Sequence, residues 1–373
     1  MAPPHVRGEP TDPGLNEKIP PGTRIFHVPY PDQLWSRIMA RAFWAETWLP
    51  RAWPGVKSAV ADFKPDVVLT TSPPGCVHWL GFLAQRKLGV RWVADMRDPW
   101  VTNVSRYMGS PVHKAINGFG EKAMIRNADL IVANTPGTLR GLQRSFPEAS
   151  AKLAMVTNGF DPLPVIGAPV RRSNADAVTL LHAGEFYAGR DPRPLMRVLG
   201  ELERSRPAGV PRFRLRLLGR LDGDIDVTGT IREHGLQRII DAPGQVSHAQ
   251  VQTALAEADV LLSVQSSSYP DSIPAKLYEY LAFDKPILQL AAPGSDMDWV
   301  LQTSGVLHRV VDQADEAGIR RALLELASAI ADGKATASDP ARMRTFTREA
   351  TIGQLAGHLD RLLETRSRVE AAG

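Results

Sequence analysis

The chain has 373 residues, 43% of them hydrophobic and 23% charged, and its 44 basic against 40 acidic side chains leave a formal charge of +4. Such a length leaves room for about two to three domains with large cores, and the mild basic excess suits an anionic ligand or a membrane surface without requiring either. The single cysteine, Cys76, excludes an internal disulfide or a cysteine-based metal cluster; with no apolar run of about 18 residues to span a bilayer and no apolar core for a signal peptide at the start, a cytoplasmic protein is expected.

Residues 1–23 are rich in Pro, Gly and charge and read as an extended or disordered segment. Arg24–Val28 is expected to form a short strand. Asp32–Trp53 reads as a helix carrying Trp35, Trp44, Trp48 and Trp53 among Arg37, Arg41 and Arg51. Indole and guanidinium together suit peripheral contact with the cytosolic face of a membrane; equally, the helix can pack on its own domain with the arginines snorkelling along it.

From Pro65 onward strands and helices alternate, which predicts a parallel sheet. Val67–Thr71 is a largely β-branched run, as a strand covered on both faces requires. Ser72–Gly75 turns into a helix ending near Leu88, and Val90–Ala94 leads to the loop Asp95-Met96-Arg97-Asp98-Pro99-Trp100. A helix over about Val112–Asn127 precedes the strand Leu130–Ala133, a helix opened by Pro136, and the strand Leu153–Val156. Residues 24–165 are expected to form the first domain, and residues 162–176, with three prolines, the linker.

A second series over residues 170–340 begins with the strand Val178–His182 and the loop Ala183-Gly184-Glu185-Phe186-Tyr187-Ala188-Gly189-Arg190-Asp191-Pro192. The strand Arg212–Leu218 follows, Ser247 and Gln250 form a capping box, and Val260–Val264 enters the stretch SVQSSSYPDSIPAKLYEYLAFDKPILQL. There the loop Gln265–Ile273 leads to a helix expected to start at Pro274, followed by a strand from Pro286. Lys276 and Glu279 share a face of that helix, and Asp271 is brought near its N-terminus, at the kind of strand-to-helix junction where open α/β sheets bind ligands. Helices over about Asp312–Asp332 and Pro340–Glu364 close the chain, the last with Ile352, Leu355, Leu359 and Leu362 as an apolar stripe.

The segment IPAKLYEYLAFDKPIL resembles the donor-binding motif of family 4 retaining glycosyltransferases, in the bacterial branch that builds surface polysaccharides. The family signature is two glutamates separated by seven residues, and the matching pair here is Asp271 and Glu279, the first one methylene shorter. The resemblance implies a GT-B architecture of two facing Rossmann-like domains, with a last helix, residues 341–373, crossing back to the first domain. It implies transfer of a hexosyl or N-acetylhexosaminyl unit from a UDP- or GDP-sugar to a glycan or lipid-linked acceptor with retention, and no bound cofactor.

By that resemblance the first acid, Asp271, approaches the donor sugar and Glu279 holds the ribose, with Gly184, Arg190, Ser272, Ile273 and Lys276 completing the donor site. Glycines let the backbone approach phosphate oxygens, and a guanidinium matches two of them at once; with these groups on the diphosphate no metal is required, and no histidine has ligand-like spacing. Arg97 and Asp98 stand where relatives place acceptor-side residues. Asp98 would orient or deprotonate an acceptor hydroxyl and Arg97 hold an acceptor anion, or the two form an ion pair bracing their loop. Relatives also begin with a strand, a glycine-rich turn and a helix that residues 1–23 do not supply, so either the chain is recorded from an internal start or its first domain is reduced. The alternatives to a transferase are a nucleotide-sugar epimerase of the same fold and a catalytically poor partner subunit. A nucleic-acid partner finds no concentrated basic patch.

Overall fold

In the computed structural model, the residues described are 19–28, 48–101, 111–162, 177–187, 189–221, 225–335 and 339–371, with side chains of the last helix described to 364. Two compact units divide the chain. One comprises Met1–Asn134, Thr138–Met155 and His358–Gly373, the other Thr135–Gly137 and Val156–Gly357.

In the first unit, β1 (Val67–Ser72), β2 (Arg91–Met96), β3 (Leu130–Ala133) and β4 (Leu153–Met155) form a parallel sheet in the order β1-β2-β3-β4. The right-handed strand–helix–strand connection explains the sequential order: each helix returns the chain to the next position on one side of the last strand. Helices Leu49–Phe63, His78–Leu88, Pro111–Asn127 and Pro136–Ser145 accompany the strands. The core gathers Trp92, Met96, Trp100, Met124, Ile125 and Ile131.

The second unit has six parallel strands: β5 (Ala177–Ala183), β6 (Arg212–Leu218), β7 (Ile240–Gly244), β8 (Val260–Val264), β9 (Ile287–Leu290) and β10 (His308–Val311). Their order is β10-β9-β8-β5-β6-β7. The chain first builds outward from β5 in one direction and then returns to build outward from β8 in the other, so the topology reverses between β5 and β8. Adjacent residues of one strand enter opposite cores, as β-strand geometry demands: Leu180, Leu262 and Leu288 lie in one, Leu181, Leu261 and Ile287 in the other. A sheet covered on both faces is why these strands read as unbroken aliphatic runs.

Several expectations need correction. Arg24–Val28 is not a strand; only His27 makes a β-bridge, and the Val28 carbonyl accepts a hydrogen bond from Trp48 Nε1 at 2.7 Å. Pro274 is the N-cap, with an extended ψ of 135°, and the helix runs Ala275–Leu281. The single closing helix expected from Pro340 is two, Pro340–Arg344 and Arg348–Ala371. Between them Phe160 N donates to Phe346 O at 3.0 Å and Arg348 N to Phe160 O at 2.8 Å. That interruption turns Phe346 inward against Tyr278 and Trp299, and burying the ring offsets the lost helical hydrogen bonds.

On the last helix Ile352 is 63% exposed and does not belong to a buried stripe, whereas Leu355, Leu359 and Leu362 are half-buried. Within the first unit, Leu362 O accepts from Arg91 Nη1 at 2.6 Å. Most of the tryptophan-rich segment, including Trp35 and Trp44, lies outside the described residues, as do residues 1–18 and most of the expected linker. Trp48 is buried and Trp53 packs beside it. Among the described residues no helix is long and apolar enough to cross a membrane.

Candidate functional site

The reversal of strand order between β5 and β8 opens a crevice at their carboxyl ends, where no helix connection can pass over both strands. The residues that follow these two strands meet there. Gly184, directly after β5, has φ +143°, and a β-carbon added to it would overlap the Lys276 ammonium. Its N–H donates to Leu218 O at 2.6 Å. Gly219, at the end of β6 with φ +139°, packs so tightly that a β-carbon there would run into Gly184 O. Both positions lie in a backbone region that only glycine adopts without strain, and the missing side chains are what allow the lysine to lie on the backbone.

Arg190, further along the same loop, is buried to 8% exposure. Its Nε donates to Gln265 Oε1 at 2.7 Å, and Gln265 Nε2 donates to Ser272 O at 3.3 Å, so one glutamine ties the loop after β5 to the loop before the helix Ala275–Leu281. The guanidinium stacks 4.1 Å over the Tyr187 ring. Gln313 clamps the loop from outside, donating to Gly189 O at 2.9 Å and accepting from Asp191 N at 3.1 Å.

Burial, followed by the nearby Arg190 charge, lowers the pKa of Lys276 from 10.5 to about 8, against smaller opposing pulls from Glu279 and Glu185. No carboxylate pairs with Lys276 or Arg190 among the described residues. Beneath them His182 is buried, with its ring stacked on Phe186 at 4.4 Å and Nδ1 2.9 Å from Leu262 O. That carbonyl can only accept, so Nδ1 carries the proton and Nε2 is left bare. Burial first, then Lys276, holds the His182 pKa well below its ordinary value, so the ring adds no third charge. The result is two cations held close together on rigid backbone, partly removed from water, with no anion between them.

Of the residues expected in a donor site, Gly184, Arg190, Ser272 and Lys276 are thus brought together. Ile273 is buried in the core beneath the loop. Glu279 is exposed one turn beyond Lys276, and Asp271 is exposed in the loop. No side chain caps the helix Ala275–Leu281, Asp271 included, because the non-helical Pro274 separates the acid from the first turn. Gln265, Tyr187 and Gln313 were not singled out from the sequence. The signal available for Gln265 was a polar residue directly after the wholly buried strand VLLSV.

In the first unit the loop after β2 is built around Trp100. This indole is 2% exposed and donates from Nε1 to Asn117 Oδ1 at 2.7 Å; a β-carbon at Gly75 would overlap its ring. His78 stands 5.7 Å from that ring and 6.4 Å from Trp92, with its pKa pushed down to about 3 by burial. Thr71 Oγ1 donates to Asp95 Oδ2 at 2.6 Å, and burial raises the Asp95 carboxyl pKa. Asp98 is half-buried and its pKa is also raised by burial, which outweighs the opposing Arg97 charge. Arg97 is exposed and forms no ion pair with Asp98 among the described residues, so the anchor of this loop is the tryptophan and not the ion pair that was the alternative to an acceptor-side role. Among the described residues no group of three or more His, Cys, Asp or Glu is placed to hold a metal ion.

Comparison with known proteins places these features. Sucrose-phosphate synthase from Thermosynechococcus elongatus superposes with a TM-score of 0.63 over 86% of this chain and 79% of its own, at 17% identity. HepE of Anabaena, solved with UDP and glucose, superposes with a TM-score of 0.57 over 90% of this chain and 91% of its own, at 16% identity. The fold is GT-B. Residues 6–159 match the model of the glycosyl transferase 4-like domain. The D-inositol 3-phosphate glycosyltransferase of Kineococcus radiotolerans is 27% identical over 234 residues, 58% of this chain and 53% of that protein. The chain therefore spans about half the length of that curated relative. The chain is thus similar to glycosyltransferases of this kind over part of its length, and its two parallel sheets are the two Rossmann-like domains of the fold.

Proposed function

We propose that this chain transfers a hexosyl or N-acetylhexosaminyl unit from a UDP- or GDP-sugar to a glycan or lipid-linked acceptor, with retention. The work is set at the cytosolic face of the membrane, in the making of surface polysaccharide or glycoconjugate. One observation carries the reading: Lys276 lies over Gly184 with the Arg190 charge nearby, and neither cation has a paired carboxylate among the described residues. A diphosphate supplies the missing charge, and its release as a leaving group is what such pre-set cations favour. UDP in the HepE structure is consistent with this ligand class.

In this reading Arg190 grips the diphosphate with its guanidinium held in place by Gln265 and Tyr187, and Lys276 neutralises the oxygen freed from the sugar. Glu279 accepts hydrogen bonds from the ribose hydroxyls and Asp271 faces the sugar. The acceptor hydroxyl is oriented by Asp98, with Arg97 on an acceptor anion, and attacks the face from which the diphosphate departs. A phosphate oxygen takes the acceptor proton.

Thermal unfolding with UDP, GDP and their sugars tests this. A ligand at about one hundred times its Kd adds roughly 2.7 kcal/mol, a shift of several degrees for units of this size. Arg190→Ala should abolish the shift while the protein still melts cooperatively. A cooperative melt that responds to no nucleotide would turn the assignment toward a partner subunit, and donor turnover without acceptor would turn it toward an epimerase.

A further inference from the structure

The first unit carries a second surface with a definite chemistry. Along the helix Pro111–Asn127, Val112, Ile116 and Phe119 are 64%, 43% and 68% exposed. Their spacing of four and three places them on one stripe. Beside them the helix His78–Leu88 presents Trp79 and Phe82, only partly buried. The rings of Trp79 and Phe119 stack at 5.9 Å, which joins the two helices into one apolar face. Single exposed apolar residues are ordinary on a protein surface, but a continuous aromatic and aliphatic stripe is not.

The exposed charge on the two helices themselves has one sign. Lys122 and Arg126 on one helix and Arg86 and Lys87 on the other are exposed beside the stripe, and Arg86 also packs 5.7 Å over the Phe82 ring. Neither helix exposes an acid, because Glu121, the acidic residue of the pair, is 8% exposed and accepts from Val101 N. We propose that these two helix faces dock the chain on an anionic lipid bilayer, with Phe119, Ile116 and Val112 entering the headgroup boundary and the four cations on lipid phosphates. A second copy of the chain would bring the same cations opposite one another, which costs binding free energy. A bilayer surface takes up the rings and the charges at once.

This inference names a surface for the membrane contact in the proposed function but is independent of the nucleotide site. The full chain is sedimented with vesicles of phosphatidylcholine alone and of phosphatidylcholine mixed with phosphatidylglycerol, at low and high salt. It should pellet with the anionic vesicles only and be released by salt. Phe119→Ser should lower the partition coefficient about tenfold and Lys122→Ala about fivefold, with nucleotide-induced stabilisation unchanged in both. Protein left in the supernatant with both vesicle types overturns the proposal, as does vesicle binding that neither substitution alters. Self-association of the wild type that Phe119→Ser abolishes in a sizing experiment would reassign the face to a second copy and also overturn it.

Discussion

Lys276→Met separates stability from ligand binding. The substitution keeps an unbranched apolar stem and removes a charge that the fold disfavours: burial, with Arg190 nearby, lowers the lysine pKa from 10.5 to about 8. A shift of that size corresponds to about 3 kcal/mol, which solvent at this half-buried position reduces to about 1–2 kcal/mol. The folded state binds the proton more weakly than the unfolded one, so the penalty is fully present below pH 8 and disappears as pH rises toward 10.5. At pH 7 the Met variant should therefore melt several degrees higher than the wild type, and the difference should shrink above pH 8. The same variant should lose most of its nucleotide-induced shift, and wild-type nucleotide affinity should fall above pH 8 as the ammonium deprotonates. Scanning calorimetry across pH, with and without UDP or GDP, reads all of these. A Met variant that is less stable at pH 7, or that keeps the full nucleotide response, would refute the reasoning.

Two further substitutions examine other parts of the site. Glu279→Ala should weaken nucleoside diphosphate binding by about 10- to 100-fold, the worth of hydrogen bonds to a charged group, and leave pyrophosphate binding unchanged in calorimetric titration; equal loss for both ligands would remove Glu279 from the ribose. Gly184→Ala forces a side chain into a backbone at φ +143° and against the Lys276 ammonium, and should cost about 1–3 kcal/mol of stability together with the nucleotide response. A variant that folds and binds normally would mean that the loop relaxes around the methyl group.

The central strands were legible because a parallel strand buried on both faces is a run of mostly aliphatic residues, a pattern that LIVA carries in full and VLLSV with a single serine. Two strands were not singled out, Ile240–Gly244 and His308–Val311, and they are the two edges of the six-stranded sheet. An edge strand has one paired side, tolerates Pro243 and need not be apolar, so its residues look like a loop. The break before Arg348 was also hidden, since its cause is a pairing with Phe160, nearly two hundred residues earlier in the chain.

Within the site, the sequence alone determined the chemical inventory: a glycine-bounded loop with Arg190, and an acid pair on either side of Lys276. Only the tertiary structure decided which of these groups act together. Strand order sets β5 beside β8, and that adjacency carries Arg190 to Gln265 and lays Lys276 across Gly184. It likewise decided that Trp100 anchors the loop of Asp98 and that Phe119 and Trp79 form one face. Local sequence sets local conformation through short-range sterics and hydrogen bonding, but the distance between residues far apart in the chain depends on how strands are ordered and helices packed. Unpaired charge, and with it the candidate site, appears only when that order is known.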